Sequence, residues 1–178
     1  SKTFAGILPG VLHRKGILTE TPEADVTARV VAQAVTQVII QEEMGANVPI
    51  IILGGKGFIG KRVADKLAKY RIFPVDLDDE WPSHLRGQRV ILVNITLKNA
   101  LELYLERLWP EAVIINEVYP EPSSRVIGRI KAIGCVCYHI AGVKALAIPA
   151  FPHAYRGGVP CCSAWNAKHI QARVVRLV

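Results

Sequence analysis

The sequence predicts an α/β domain on a doubly wound parallel sheet of about five strands, order 2-1-3-4-5, with a helix ahead of the first strand. Three observations lead there. Short apolar runs alternate with segments of helical period. Hydrophobic residues make up 51% of the chain and aromatic ones only 7%, the Val/Ile/Leu/Ala palette of strands buried on both faces. A glycine-rich turn separates the first strand from the helix behind it.

The 178 residues fit one domain with a substantial core. Residues 1–22, with Gly6, Pro9, Gly10, Gly16 and Pro22, read as an irregular arm. A helix follows from Glu23, opened by Thr21 or Pro22. Val26, Val30, Val31, Ala34, Val35, Val38 and Ile39 recur at helical spacing, and Gly45-Ala46-Asn47 ends it. Within the core, 23–143, strands are expected at 49–53, 72–76, 90–95, 112–118 and 135–140. Helices are expected at 58–70, 97–108 and 122–133, the last with Pro122 in its first turn. The 78–88 link is short for a crossover and is read as a single helical turn opened by Asp78 or Asp79. In 144–178, Pro149, Pro152, Gly157, Gly158 and Pro160 punctuate a loop, and a final helix is expected over 163–175, capped by Ser163.

Composition narrows the partners. The net charge is +7, but the basic residues are scattered and not interleaved with aromatics, so no nucleic-acid partner is expected. No apolar run reaches the roughly 18 residues of a membrane helix. Ser1-Lys2-Thr3-Phe4-Ala5 opens without the apolar core of a signal peptide, so a cytoplasmic, reducing setting is expected. Cys135-Val136-Cys137 and Cys161-Cys162 suit neither a zinc knuckle nor an iron–sulfur run. They are expected to be reduced, without metal, with Cys135 and Cys137 on one face of a strand. Trp81, Trp109 and Trp165 are read as packing residues.

The chemistry-bearing segment is Gly54-Gly55-Lys56-Gly57-Phe58-Ile59-Gly60. Gly55, Gly57 and Gly60 have the G-x-G-x-x-G spacing between a strand and a helix. The first glycine allows the tight turn, the second the approach of a pyrophosphate, the third close helix–strand packing. Phosphates would sit at the positive end of the helix. Asp76 ends the next strand, where a carboxylate accepts from ribose hydroxyls. With Asp78, Asp79 and Glu80 close by, NAD is expected before NADP. The expected switch point lies between the first and third strands, where Gly54, Asn94 and Thr96 fall.

These residues resemble a known group. The glycine turn also fits the G-x-x-G-x-x-G of extended short-chain dehydrogenases, but no tyrosine here has a lysine four residues later, as that family's proton transfer requires. The long helix before the glycine strand, Asn94-Ile95-Thr96, and Glu117-Val118-Tyr119-Pro120-Glu121-Pro122 are similar to the cofactor domain of the shikimate-dehydrogenase-like group, within the amino-acid-dehydrogenase-like Rossmann domains. The resemblance covers about residues 23–143 and implies a Rossmann-like fold, with Asn94, Thr96 and Val118 beside the nicotinamide. In that group a separate N-terminal domain carries the substrate site and a catalytic Lys/Asp pair; the arm of residues 1–22 is too short to be that domain. Cofactor binding carries over; catalysis does not.

Weaker candidates remain. His139, His153 and Tyr155 are candidate proton donors. Arg156, in the Gly/Pro-rich loop, is a candidate clamp for a substrate carboxylate, and Glu117 a cleft-rim group. The expected function is an NAD-dependent dehydrogenase domain moving hydride to or from a small substrate. The alternatives are a non-catalytic nucleotide-sensing or regulatory module and an S-adenosylmethionine-dependent transferase. The N-terminal helix and apolar tail raise the expectation of a homodimer, and the substrate site is expected from the 144–162 loop, from another subunit or from a domain missing in this chain.

Overall fold

A computed structural model describes residues 8–17, 22–97, 99–144 and 170–178. The elements run α1 (Leu8–Arg14), α2 (Pro22–Gln41), β1 (Pro49–Leu53), α3 (Phe58–Lys66), β2 (Arg71–Val75), a 3₁₀ turn (Ser83–Leu85), β3 (Ile91–Asn94) and α4 (Ala100–Tyr104). A second 3₁₀ turn (Leu105–Arg107), β4 (Val113–Asn116), α5 (Ser124–Ile133), β5 (Val136–Lys144) and β6 (Gln171–Arg176) complete them. The sheet has six strands in the order β2-β1-β3-β4-β5-β6. The first five are parallel, and β6 is antiparallel to β5.

Strand periodicity divides the core into two layers. Ile50, Ile52, Ile91, Val93, Val113, Ile115 and Tyr138 pack with α2 and Val63 of α3. Ile51, Leu53, Leu92, Ile114 and Cys137 face the other way, toward Leu101 and Tyr104 of α4 and Val126 and Ile130 of α5. Cys135 and Cys137 share this second layer as buried thiols. Trp81 and Trp109 are buried with them, while Trp165, Cys161 and Cys162 lie outside the described residues.

Three expectations are corrected. The arm is not wholly irregular: α1 tolerates Pro9 in its first turn, where that residue's missing N–H is not needed. The 78–88 turn is opened after Pro82 and not by Asp78 or Asp79. Trp81 and Leu85 fill the space a crossover helix would occupy, with the Trp81 ring 5.7 Å from that of Tyr104. The third correction concerns the C-terminus. Residues 171–175, expected at the end of a helix over 163–175, belong to β6 (Gln171–Arg176). Val174-Val175 is β-branched, and Ala172 and Val174 turn alternately onto the α2 layer. The backbone of Ala172 is also held from α2: its N–H donates to Gln33 Oε1 (3.2 Å), and its carbonyl accepts from Gln37 Nε2 (3.5 Å). The apolar face of α2 is thus covered by the sheet and β6. Among the described residues no helix is long and apolar enough to cross a membrane.

One polar cluster ties α2 to the sheet. The Glu42 carboxylate accepts from the Tyr138 hydroxyl (2.6 Å) and pairs with Arg89 (3.1 Å) and Arg176 (3.6 Å). Burial, then Glu42, push the Tyr138 phenol from 10.0 up to about 12. Burial pushes the Cys135 thiol to about 11 and the Cys137 thiol to about 12, from 9.0. The folded state thus favours the neutral form of all three. Their stabilisation is complete below the unfolded-chain values and is lost as pH rises toward the folded ones. The urea midpoint should fall steadily as pH rises from 9 toward 12, and Tyr138→Phe should flatten the part above pH 10. A flat profile in the native chain would contradict this assignment.

Candidate functional site

The glycine turn winds around one carbonyl. Gly57 N–H donates to Gly54 O (3.1 Å), and a Cβ on Gly60 would lie 2.0 Å from that oxygen. Gly54 has φ +82, and a Cβ there would sit 3.2 Å from Thr96 Cα. A Cβ on Gly55 would lie 2.6 Å from Pro74 Cβ and 2.8 Å from Ile52 O. The chain's own packing thus demands glycine at 54, 55 and 60. Gly57 differs: it is exposed, and a Cβ there would meet only Gly54 O, at 3.2 Å. It is also the N-cap of α3 and offers no side-chain cap. Ile59 is half-buried against the α2 layer.

The acids expected at the end of β2 are there. Lys56 N–H donates to Asp76 Oδ2 (3.1 Å), and Asp76 N–H donates to Asp79 Oδ2 (2.7 Å). The Lys56 ammonium pairs with Asp79. That contact, then the Asp76 N–H, holds the Asp79 carboxyl below its ordinary value. Among the described residues, the ion pair on these acids comes from Lys56. Arg62 stacks on Phe58 (3.9 Å to the ring centroid) and pairs with Asp25 (3.6 Å). The arm also reaches the site, because Gly10 of α1 packs on Phe58 and the His13 ring lies 5.8 Å from it.

Beside the turn, the end of the sheet becomes polar. Register places Leu53, Asn94, Asn116 and His139 in one row across β1, β3, β4 and β5. Alternation puts that row on the α4/α5 face. Asn94 Nδ2 donates to Asn116 Oδ1 (2.7 Å), and Thr96 N–H donates to Asn94 Oδ1 (3.4 Å). Asn116 Nδ2 donates to Val118 O (2.7 Å) and lies 3.1 Å from His139 Nδ1, which is also 3.0 Å from Asn116 O. Asn94 and Asn116 are 2% exposed and His139 4%. The β5 strand runs on to Lys144, past the expected end at 140, so His139 lies well inside it.

Both amides line a cavity of about 410 Å³ between α4 and α5, with Asn99, Glu102, Val118, Glu121 and Ser123 among the other walls. Ser123, not Pro122, opens α5, its hydroxyl accepting from Val126 N–H (3.4 Å). Glu117 is half-exposed, and its N–H donates to Asn94 O (2.9 Å). His153, Tyr155 and Arg156 lie outside the described residues.

The structure thus brings the glycine turn and Asp76 together, and Asn94 with Val118 and His139. Sequence reasoning missed Asn116, Asn99, Glu102, Glu121 and Ser123. For Asn116 a signal existed: Ile91-Leu92-Val93-Asn94 and Val113-Ile114-Ile115-Asn116 are two apolar runs ending alike.

Asn116→Leu keeps the side-chain size but leaves the Asn94 amide and Val118 O without this partner. It should cost about 3 kcal/mol, since each buried unmet group costs roughly 1–3. Urea unfolding of the variant measures it, and a loss below about 1 kcal/mol would deny the row its structural weight.

Comparison of the chain with protein-family models, with curated proteins and with solved structures finds no match.

Proposed function

We propose that the chain binds a dinucleotide on its glycine turn in a Rossmann-like arrangement, NAD before NADP, as the cofactor domain of an oxidoreductase acting on a small substrate. The observation that carries this reading is the contrast among the glycines. Three are required by the fold, whereas the exposed Gly57 keeps the amino end of α3 uncovered. With the Lys56 and Gly57 N–H groups already held by Asp76 and Gly54, a pyrophosphate there would meet the first-turn N–H groups of α3 and the positive end of the helix. The cofactor would bring the hydride chemistry, and the protein its binding and orientation.

Asp76 supports the choice of NAD. One of its oxygens accepts from the turn, and a carboxylate retains further acceptor sites for ribose hydroxyls. Asp79, which holds the Lys56 ammonium, belongs to a run of four acids, Asp76, Asp78, Asp79 and Glu80, which would keep the surroundings of the NADP 2′-phosphate negative. A second reading, a nucleotide-binding module without catalysis, is favoured by one observation: His139, one of the three candidate proton donors and the one among the described residues, is buried in the amide row.

Gly57→Val should fold, with a shift of a few tenths of an ångström against Gly54 O, and lose dinucleotide binding; Gly60→Ala, aimed at backbone 2.0 Å away, should be strongly destabilised. Calorimetric titration of the folded Gly57→Val variant decides, and unchanged affinity would sink the reading. In the native chain NAD should bind at least about tenfold tighter than NADP, or roughly 1.4 kcal/mol. Asp76→Ala should narrow the ratio and Lys56→Ala widen it. Equal affinities, or a ratio indifferent to Asp76, would reject the preference.

A further inference from the structure

We propose that the cavity between α4 and α5 is a binding site for a neutral carboxamide group, recognised by the side chains of Asn94 and Asn116. The site goes beyond the dinucleotide reading and stands without it. Val118 O can only accept, so it draws Asn116 Nδ2 to it and turns Asn116 Oδ1 toward Asn94. Asn94 must then present its Nδ2, leaving its Oδ1 to accept the Thr96 N–H. Neither amide can flip without setting like against like.

This fixed chain leaves hydrogen-bonding capacity over. Asn94 Nδ2 has two N–H groups and uses one on Asn116; Asn116 Oδ1 has two lone pairs and receives one donor. The remaining donor and acceptor belong to atoms 2.7 Å apart, on two residues that both line the cavity. A primary carboxamide carries an acceptor and a donor on one carbon and meets that pair with two hydrogen bonds. Leu101, Val118 and Val126 supply apolar wall for the body of the ligand. An anionic isostere is disfavoured. A carboxylate has no N–H to give the spare lone pair of Asn116 Oδ1, and the Glu102 and Glu121 carboxylates on the same wall add to the preference. The amide has two conceivable sources sharing this chemistry, the nicotinamide of a dinucleotide and an amide of the substrate itself.

The test uses the full chain labelled with ¹⁵N, following the side-chain amide signals of Asn94 and Asn116 during titration with isobutyramide and with isobutyrate, its anionic isostere. Isobutyramide should shift both signals and bind at least about tenfold tighter than isobutyrate. Glu102→Gln, which removes the charge but not the amide pair, should retain most of that preference. Equal binding of the two probes, binding that leaves both asparagine signals unmoved, or a preference lost in Glu102→Gln would overturn the proposal. NAD added afterwards separates the sources. Displacement of isobutyramide with a shift of the same signals assigns the site to the cofactor's amide, and undisturbed isobutyramide binding under saturating NAD assigns it to the substrate's. An amide site in a chain that binds no NAD would refute the dinucleotide reading alone.

Discussion

The approach of α3 to the carbonyl oxygen of Gly54 governs the carboxyl edge of the sheet. That oxygen closes the turn by accepting from Gly57, and Gly60 fits against it only because it has no Cβ. Gly54 in turn lies against Thr96, so the turn after β1 and the segment after β3 hold a common position. Gly54 N–H also reaches Val75 O at 2.9 Å, which ties in the end of β2. Three strand ends are therefore fixed by contacts around one residue.

The amide row shows how such an edge can be polar and still buried. A sheet covered on both faces has little room for water, so each polar group in it needs an internal partner. Asn94, Asn116 and His139 meet that demand among themselves and the backbone of residues 96, 116 and 118. Such a network holds its geometry because breaking one link leaves a buried group unmet. Rigid donors and acceptors at the end of a parallel sheet are what a binding surface requires.

The sheet order through β5 was readable because apolar runs such as Ile50-Ile51-Ile52-Leu53 are too short for helices and too continuous for half-exposed strands. The glycine turn was readable because its spacing encodes local geometry. The polar row was not, since it depends on register between strands some 22 residues apart, which no local pattern reports. The 171–176 strand was misread for a related reason. Gln171-Ala172-Arg173 carries no strong local preference, and its partners, β5 and the glutamines of α2, are distant in sequence. In the arm, Pro9 and Gly10 argued locally against a helix, while contact with Phe58 argues for one.

The antiparallel β6 has an implication for biogenesis. Cys137 receives both Val178 O, at 3.1 Å from its N–H, and Leu177 N–H, at 2.8 Å from its carbonyl. Among the described residues, the backbone partners on that side of β5 therefore come from residues 171–178, which leave a ribosome later than β5 does. Until then β5 presents an open edge and α2 an uncovered flank, the kind of surface on which nascent chains pair with one another. A fusion that keeps residues 170–178 tethered inside the exit tunnel would hold the nascent chain in that open-edged state.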